Sequence, residues 1–477
     1  MNQEINDMNK KLFLLIAGIV IFLEGCTLAP KYTKPQAPVP AEWPTGPAYK
    51  ESAGKPGEVP ASNILWRDFF VDERLQKVIE LALSNNRDLK LAALNVEMAH
   101  ALYGISRAEL LPTVNAIGSA SKQRSSIDLV RPGEPRTTEQ YSIDLGITSW
   151  EIDFFGRIRS LKDAALEQYF STEQGRKSAQ ISLISAVANT YLSLAADFEI
   201  LKLTKSTLET QQTVYALIKR RYDVGLASEL DLHRAQTQVD TAKGDVARYT
   251  QLAAQGENAL NLLAGMKVTE DVLPVDLSSF KLRENISPGL PSDMLLNRPD
   301  ILAAEHFLKA ANANIGAVRA AFFPRISLTG VIGTASDELS GLFKSGTGTW
   351  SFSPQIIMPI FDARTWSAYD ASKVDREILL TQYEKAIQTA FREVADALAV
   401  QGTVEEQVAA QESLVNAVAE TYRLANARYT KGIDSYLSVL DAQRSLYGAQ
   451  QGLVALRLSR LTNMVTLYKV LGGGAEE

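Results

Sequence analysis

Apolar residues recur at alternating spacings of three and four in two stretches of the chain. They stand at Leu232, Ala235, Val239, Ala242, Val246, Tyr249 and Ala253, and again at Val439, Ala442, Leu446, Ala449, Leu453 and Leu456. This spacing is typical of a coiled-coil seam in which alanines let helices approach closely. One face of an ordinary bundle helix is the alternative, and long helices disfavour it.

Proline-free windows allow such helices to be very long. No proline occurs between Pro135 and Pro274 or after Pro359, and a proline inside a helix costs about 3 kcal/mol. Each window has one break, at residues 223–228 and 430–435, with a glycine that can end a helix. A serine follows in each break, placed to cap the next helix. Each window is therefore predicted to be a helical hairpin.

The predicted helices of each half differ in length. They cover about 88–110, 157–222 and 228–264 in the first half, and 300–322, 363–429 and 435–471 in the second. The longest would span on the order of 100 Å, and its hairpin partner little more than half of that. The short helix fills the remainder if it stacks on the partner. We therefore predict that each half forms two parallel helical columns. One column is a single continuous helix, and the other consists of two helices stacked end to end.

Segments with strand-like alternation lie between the short and long helices. They cover about 112–124, 140–151, 324–334 and 349–358, the first alternating only weakly. One-sided apolar strands of about ten residues are typical of a transmembrane barrel, and a small sheet packed on helices is the alternative. Four strands cannot close a barrel, and lipid does not tolerate open sheet edges. Three chains would supply twelve strands, with Trp350 and Tyr141 in an aromatic girdle.

The two halves are copies of one unit. A shift of 212 residues places Asp88 on Asp300, Gly104 on Gly316, Arg107 on Arg319 and Pro112 on Pro324; a shift of 207 places Phe154 on Phe361, Arg221 on Arg428, Tyr222 on Tyr429, Gly225 on Gly432 and Gly265 on Gly472. Repeats of this kind indicate a duplicated and fused unit of roughly 200 residues.

The N-terminus has the pattern of a secretory signal. Lys10 and Lys11 precede an apolar run at 12–23, which as a helix rises about 18 Å and is too short to span a bilayer. Cys26, the one cysteine of the chain, follows in Leu-Glu-Gly-Cys. This resembles a bacterial lipobox, although Glu24 departs from the usual small residue. An ordinary signal with an incidental cysteine is the alternative. Leu28, rather than an aspartate that would favour inner-membrane retention, favours the outer membrane.

Composition excludes several classes of function. The net charge of −6, with acidic and basic residues interspersed, argues against a nucleic-acid-binding protein. His100, His233 and His306 fall on separate predicted helices without metal-ligand spacing. No nucleophile elbow or phosphate-binding loop is found. We expect no enzyme activity, metal or cofactor, while an enzyme and a soluble coiled-coil scaffold remain the rival classes.

These observations divide the chain into segments. We predict a signal peptide at 1–25, a lipid-anchored extended segment at 26–62, a first repeat at 63–265, an equatorial linker at 266–290, a second repeat at 291–472 and a tail at 473–477. The extended segment holds eight of the eighteen prolines of the chain, from Pro30 to Pro60, which suits a strap rather than a folded core.

The chain resembles the TolC-type outer-membrane efflux proteins, in the lipoprotein branch that includes OprM and the NodT-like proteins. The resemblance rests on Trp-Arg-Asp-Phe-Phe at 66–70, Asn-Arg-Asp-Leu at 86–89 and the two turn motifs that begin at Arg221 and Arg428. It implies a mainly α fold with transmembrane β structure: a long α-helical coiled-coil barrel and a 12-stranded β-barrel completed by a homotrimer, four strands per chain. It also implies a passive efflux duct in the outer membrane for drugs, solvents, other small molecules or metal ions. An inner-membrane transporter of the resistance-nodulation-division class would deliver this cargo through a periplasmic adaptor protein. A duct for type I protein secretion is the alternative.

The resemblance assigns roles to the turns and to three aspartates. The adaptor-contacting tip maps onto Val224, Gly225, Leu226, Ala227, Ser228, Gly432, Ile433 and Ser435. A periplasmic gate of carboxylates maps onto Asp441, Asp434 and Asp231. A trimer would gather three Asp441 carboxylates at one level, which disfavours anions. Ser438 replaces a second family aspartate, and Asp231 at its repeat-equivalent position is expected to substitute. The alternative is that Asp441 pairs with Arg444 one turn on.

Overall fold

A computed structural model describes residues 27–49, 64–278, 280–283 and 296–474. The predicted signal peptide and Cys26 lie outside these residues. Contacts divide the chain into two compact units. The sheet unit comprises Met1–Pro35, Val96–Thr172 and Ala304–Tyr383, and the helical unit comprises Gln36–Asn95, Glu173–Ala303 and Glu384–Glu477.

Eight α-helices fall within the described residues. They are α1 Trp66–Phe69, α2 Glu73–Asn85, α3 Arg87–Ala108, α4 Arg157–Asp223, α5 Glu229–Ala264, α6 Pro299–Ala320, α7 Ala363–Thr430 and α8 Tyr436–Val470. Helices α4 and α7 are the 67- and 68-residue members of the two hairpins. In the described part of the chain, only α4 contains a stretch long and apolar enough to cross a bilayer, and 61% of that stretch is buried. A core helix has the same character.

The sheet unit contains four antiparallel strands in the order β1-β2-β3-β4. Their bounds are β1 Val114–Arg124, β2 Thr137–Ile152, β3 Arg325–Ser336 and β4 Gly348–Ile357. The register places Leu145 opposite both Ala116 and Ile332, and Ile332 opposite Trp350. One face of the sheet is therefore apolar, because alternate residues of a strand point to opposite faces. Leu145, Ile332 and Trp350 are all exposed on that face.

A bulge interrupts β2 near its end. The register shifts between Ile147 and Trp150, and Ser149 between them has a positive φ of 56°. Its backbone N–H donates to Oγ1 of Thr329 at 3.1 Å. Bulges of this kind bend a strand and increase its twist.

An extended N-terminal strap, residues 27–35, lies along α6 in the sheet unit. Nδ2 of Asn312 and Nη1 of Arg319 donate to the carbonyls of Pro30 and Leu28 at 2.6 and 3.2 Å. Glu305, also on α6, is buried and accepts an ion pair from Lys34 at 3.2 Å. Two backbone carbonyls of the strap and the ammonium of Lys34 are thus bound by one helix.

The helical unit has its own apolar core. In α2, Leu75, Val78, Ile79 and Ala82 are buried at helical spacing, and Asp72 caps the helix by accepting from the Leu75 N–H at 2.8 Å. Phe69 stacks on Tyr468 of α8 with ring centroids 4.1 Å apart. This core joins the segment before the first repeat helix to the end of the second repeat.

The second helices of the two hairpins, α5 and α8, lie side by side in the helical unit. Nε of Arg444 donates to Oε1 of Gln238 at 3.3 Å, and the Tyr447 hydroxyl donates to Oδ2 of Asp245 at 3.3 Å. From the first of these contacts to the second, the residue number increases on both helices, so α5 and α8 are parallel. Of the predicted seam positions, Ala235, Val239, Ala242 and Ala253 are buried on α5, and Val439, Ala442 and Ala449 on α8.

The short helices α3 and α6 begin beside the C-terminal ends of α5 and α8. Nδ2 of Asn86, just before α3, donates to the Leu263 carbonyl of α5 at 3.0 Å. Nη1 of Arg298, just before α6, donates to the Val470 carbonyl of α8 at 3.0 Å. The predicted fold class, a mainly helical duplicated unit with four strands per chain, is confirmed. The stacking expected from the helix lengths starts at these two junctions.

Candidate functional site

The turns of the two hairpins have the same backbone geometry. In the first, the N–H groups of Gly225 and Leu226 donate to the carbonyls of Tyr222 and Arg221 at 2.9 and 2.7 Å. The second repeats this, with Gly432 and Ile433 donating to Tyr429 and Arg428 at 2.9 and 3.0 Å. This pair of bonds defines the Schellman motif, with glycine in the left-handed region at φ 77° and 70°. The two glycines predicted to end the helices do so.

The serines that follow behave differently in the two turns. Oγ of Ser228 accepts from the Asp231 N–H at 3.1 Å and donates to the Asp231 carboxylate at 2.7 Å, so it caps α5 as predicted. Ser435 stands at the same position before α8, but its side chain makes no capping bond. The predicted Ser435 cap is therefore wrong. Ser438, which replaces Asp231 in the second repeat, lacks the carboxylate that receives the serine hydroxyl in the first.

Apolar side chains project from both turns. Leu226 and Ile433 are 78% and 59% exposed, and Val224 beside them is also exposed. In a Schellman motif the residue after the glycine commonly packs back onto its own helix. Exposure of both residues therefore has no explanation in turn chemistry, and it suits a contact surface.

A small core supports these turns from within the helical unit. Ile218, Ala235, Tyr436, Val439 and Leu440 are buried together and bring the two hairpins into contact. Nη1 of Arg221 on the first hairpin donates to the Tyr429 hydroxyl on the second at 3.1 Å. The two turns thus form one surface, the hairpin tip, comprising residues 222–228 and 429–435.

Equivalent arginines of the tip have different partners. Arg428 forms a bidentate ion pair with Asp434, with Nη2 to Oδ1 at 3.1 Å. This bond lowers the pKa of Asp434 below its usual range. The first repeat has Ala227 where the second has Asp434, so Arg221 is free to reach Tyr429. Sequence reasoning missed both contacts, although Arg-Tyr recurs in the two turn motifs.

The three predicted gate aspartates differ in what they contact. Asp434 is held by Arg428, and Asp231 by its capping bonds and by Arg234 at 4.0 Å. Asp441 is exposed, and within the described residues its carboxylate has no ion-pair partner. The alternative pairing with Arg444 is absent, because Arg444 bonds Gln238 on α5. Asp441 alone among the three keeps an uncompensated charge.

The described residues contain no group of three or more histidine, cysteine, aspartate or glutamate side chains arranged to bind a metal. His306 contacts the Glu167 carboxylate at 2.6 Å, His233 lies 3.6 Å from Glu229 on its own helix, and His100 packs edge-on against Tyr169. Each histidine thus has a packing or ion-pair neighbour of its own.

Comparison with known proteins decides the family. Residues 78–266 and 290–473 match the family described as outer membrane efflux protein. The chain belongs to this family. It is thus an outer-membrane efflux channel protein, as the sequence predicted, and the protein-secretion alternative is not favoured.

Relatives are similar over nearly their whole length. The toluene efflux pump outer membrane protein TtgC of Pseudomonas putida is 50% identical over 466 residues, covering 97% of this chain and 96% of that protein. The outer membrane protein OprJ of Pseudomonas aeruginosa is 40% identical over 461 residues, covering 96% and 95%. These relatives confirm the outer membrane as the location.

Solved structures agree. The open state of the Neisseria gonorrhoeae MtrE outer membrane channel has a TM-score of 0.85 at 38% identity, covering 94% of this chain and 99% of that one. The Campylobacter jejuni CmeC outer membrane channel has a TM-score of 0.86 at 28% identity, covering 94% and 95%.

Proposed function

We propose that this chain forms a homotrimer whose strands close one barrel across the outer membrane, and that the trimer is the passive exit duct of a tripartite pump. The observation that carries this proposal is the open sheet of the sheet unit. Its end strands, β1 and β4, each have a neighbour on one side only, while one face of the sheet is apolar. Unpaired strand edges are not stable in lipid, so an apolar open sheet needs partner strands.

A second copy of the chain offers these strands. If β4 of one copy pairs antiparallel with β1 of the next, the segment after β4 lies beside the segment before β1. Ile360 and Phe361, just after β4, are each 90% exposed, and Leu111, before β1, is also exposed. Pairing brings these apolar side chains together and removes them from water.

Helix α3 carries a further apolar stripe. Leu91, Leu94, Met98, Leu102 and Ile105 are all exposed, and no residue of α3 is buried within the chain. Their spacings of three and four place them along one side of the helix. A stripe of this kind on a single chain is suited to contact a neighbouring copy along the helical part of the duct.

The hairpin tip is proposed to contact a periplasmic adaptor protein, with a resistance-nodulation-division transporter of the inner membrane behind it. Val224, Gly225, Leu226 and Ala227 form the first half of this surface with Ser228, and Gly432, Ile433 and Ser435 form the second. Exposed apolar side chains on a rigid, glycine-ended turn support this role, because such patches mark protein contacts. The homologous pump components are consistent with such partners.

The periplasmic gate is proposed to depend mainly on Asp441. Its exposed, unpaired carboxylate would be repeated three times around the trimer axis and would raise the barrier to anions. Asp231 and Asp434 were expected to contribute to the gate. Their charges are engaged by a helix cap and by Arg428, so we assign them a smaller electrostatic share and a role in shaping the turns.

Cargo and anchoring complete the proposal. Relatives are named for efflux of toluene, solvents and antibiotics, so small apolar or amphipathic molecules are the proposed cargo, with selection left to the pump. No catalytic step is assigned to the chain. Cys26 is proposed to be lipidated. Thr27, the next residue, bonds Ser160 in the first turns of α4 at 2.9 Å, close to the end of β2, where a lipid tail would reach the membrane surface.

Cross-linking between two tagged copies tests the trimer. One copy carries Leu111→Cys and the other Phe361→Cys, joined by a short bis-maleimide in isolated outer membranes. We expect a cross-linked species that contains both tags, and conductance by the purified protein in planar bilayers. Val224→Cys in place of Leu111→Cys is the matched control and should give no cross-link. Absence of both the cross-link and conductance contradicts the proposed duct.

A further inference from the structure

The polar face of the sheet is nearly free of charge. Alternation and register place sixteen residues on its central part: Asn115, Ile117, Ser119, Ser121, Gln140, Ser142, Asp144, Gly146, Thr329, Val331, Gly333, Ala335, Thr349, Ser351, Ser353 and Gln355. Asp144 is the one charged member of this set. A face built of serine, threonine and amide side chains is suited to line a water-filled lumen without binding the exported molecules.

Asp144 has polar neighbours, but among the described residues it has no cationic partner. Oγ of Ser142 donates to Oδ2 of Asp144 at 2.9 Å, and Ser142 is itself bonded to Ser119 at 2.8 Å. On the next strand the partner of Asp144 is Gly333, where an added Cβ would collide with the carboxylate. The missing side chain leaves the space in which the carboxylate lies over β3. The carboxylate is thus oriented by Ser142 and by the glycine, and neither neutralises it.

The nearest cation on this face is already engaged. Arg325 stands at the start of β3, eight residues from Gly333, which is about 26 Å along a strand. Its Nε and Nη2 both donate to Glu151, at 3.0 and 2.6 Å, and Arg157 binds the same carboxylate at 2.8 Å. Both arginines at the base of the sheet are therefore paired with a carboxylate, whereas Asp144 has no cationic partner among the described residues.

We infer that Asp144 is an ion-selectivity determinant of the barrel itself, separate from the periplasmic gate. This inference rests on the proposed trimer, in which the polar face lines the lumen and three Asp144 carboxylates lie at one level. Their potential favours cationic and neutral cargo and disfavours anions. It acts at a distance rather than by binding. It extends about 30 Å at 0.01 M salt but only about 3 Å at 1 M salt.

Reversal potentials of single channels test this inference. The measurement uses Asp441→Asn trimers, which lack the main gate carboxylate of each chain, in a KCl gradient of about 10 to 100 mM. We expect Asp441→Asn channels to prefer potassium over chloride, and the added change Asp144→Asn to lower the permeability ratio about twofold or more. In a KCl gradient of about 1 to 3 M the difference between the two variants should vanish, because screening then confines the potential to within about 3 Å of the wall.

Two further variants separate charge from structure. Asp128→Asn removes one exposed carboxylate per chain from the β1–β2 loop, and it should leave the ratio unchanged. Thr349 is the β4 partner of Gly333 on the same face, so Thr349→Asp added to Asp144→Asn should restore the cation preference. An unchanged ratio in conducting Asp144→Asn channels, or a loss that Thr349→Asp does not restore, overturns the inference. Trimers that do not conduct at all contradict the proposed duct instead.

Discussion

Arg298 donates to the backbone carbonyl of Val470, and this bond repeats one that Asn86 makes to Leu263 in the other half of the chain. Asn86 and Arg298 are equivalent under the 212-residue shift, and Leu263 and Val470 under the 207-residue shift. Both bonds satisfy a carbonyl at the C-terminal end of a long helix, where no intrahelical donor is available. The duplication has thus kept a contact while changing its chemistry from a neutral amide to a guanidinium.

We expect the stability of the protein to depend more on Arg298, at the charged junction, than on Asn86 at the neutral one. Arg298 is only 9% exposed, and its Nη2 also bonds Asp300 at 2.7 Å and Glu393 at 3.0 Å. Arg298→Met removes these bonds and leaves two partly exposed acids and a carbonyl without their donor. We expect a loss of roughly 2 kcal/mol in the free energy of unfolding. It should appear as a lower midpoint of thermal unfolding when helix content is followed by circular dichroism.

Asn86→Ser is the matched change at the neutral junction. Oδ1 of Asn86 caps α3 by accepting from the Leu89 N–H at 2.9 Å, and a serine keeps a neutral capping oxygen while losing the bond to Leu263. The expected loss is about 1 kcal/mol. A larger loss at Asn86 than at Arg298 contradicts the assignment of the charged junction as the stronger one.

Acid pH should weaken the second turn through Asp434. Its bond with Arg428 lowers its folded pKa below the ordinary value of 3.8, so the stabilisation is fully present above that ordinary value. It is lost as pH falls through the lowered pKa. Asp434→Asn should therefore speed hydrogen exchange of amides 431–436 at neutral pH, and the difference from the unmodified protein should disappear at strongly acid pH.

Glu229→Gln provides the control for this change. Glu229 is an exposed acid near the first turn, and its ion-pair neighbour in the described part of the chain is His233 on the same helix rather than an arginine. Its removal should therefore leave exchange at 431–436 unaltered. If Asp434→Asn exchanges no faster than Glu229→Gln at neutral pH, the ion pair does not hold the turn.

Local patterns explain what the sequence could predict. The helix ends at Gly225 and Gly432 could be predicted because the left-handed conformation is a property of a single residue. The seam alanines could be predicted from their spacing along the chain. Contacts between distant positions were not accessible. The bond between Arg298 and Val470 joins residues 172 positions apart. Ser228 and Ser435 stand at equivalent positions in the two copies, yet only Ser228 makes a capping bond.

The bulge at Ser149 also escaped prediction, since serine is not a residue that signals a positive φ. A non-glycine residue in the left-handed region costs about 1–2 kcal/mol. Ser149→Gly should remove most of this cost and raise the temperature at which the trimer dissociates on unboiled gels, while Ser149→Val should lower it. A lower dissociation temperature for Ser149→Gly would show that the serine itself is required at the bulge.

The hairpin tip predicts a specific defect in adaptor contact. Leu226→Ser combined with Ile433→Ser removes the two exposed apolar groups and leaves both glycine-ended turns intact. We expect trimers in normal amount but adaptor cross-linking reduced roughly tenfold, as for loss of contact residues at the centre of an interface. Val275→Ser in the linker between the repeats is the control, because it alters another exposed apolar residue that belongs neither to the tip nor to the α3 stripe. Normal adaptor cross-linking by the double variant contradicts the proposed role of the tip.

The gate predicts a change in conductance without a change in assembly. Asp441 has no ion-pair partner in the described part of the chain, so Asp441→Ala breaks no ion pair within it. It does remove three charges from one level of the proposed trimer. We expect larger or more frequent openings in planar bilayers and a weaker preference for cations, both most evident at low salt. Asp434→Ala, whose charge is engaged by Arg428, should alter conductance much less. If the two variants conduct alike, or if Asp441→Ala leaves conductance and antibiotic sensitivity unchanged, Asp441 is not the gate carboxylate.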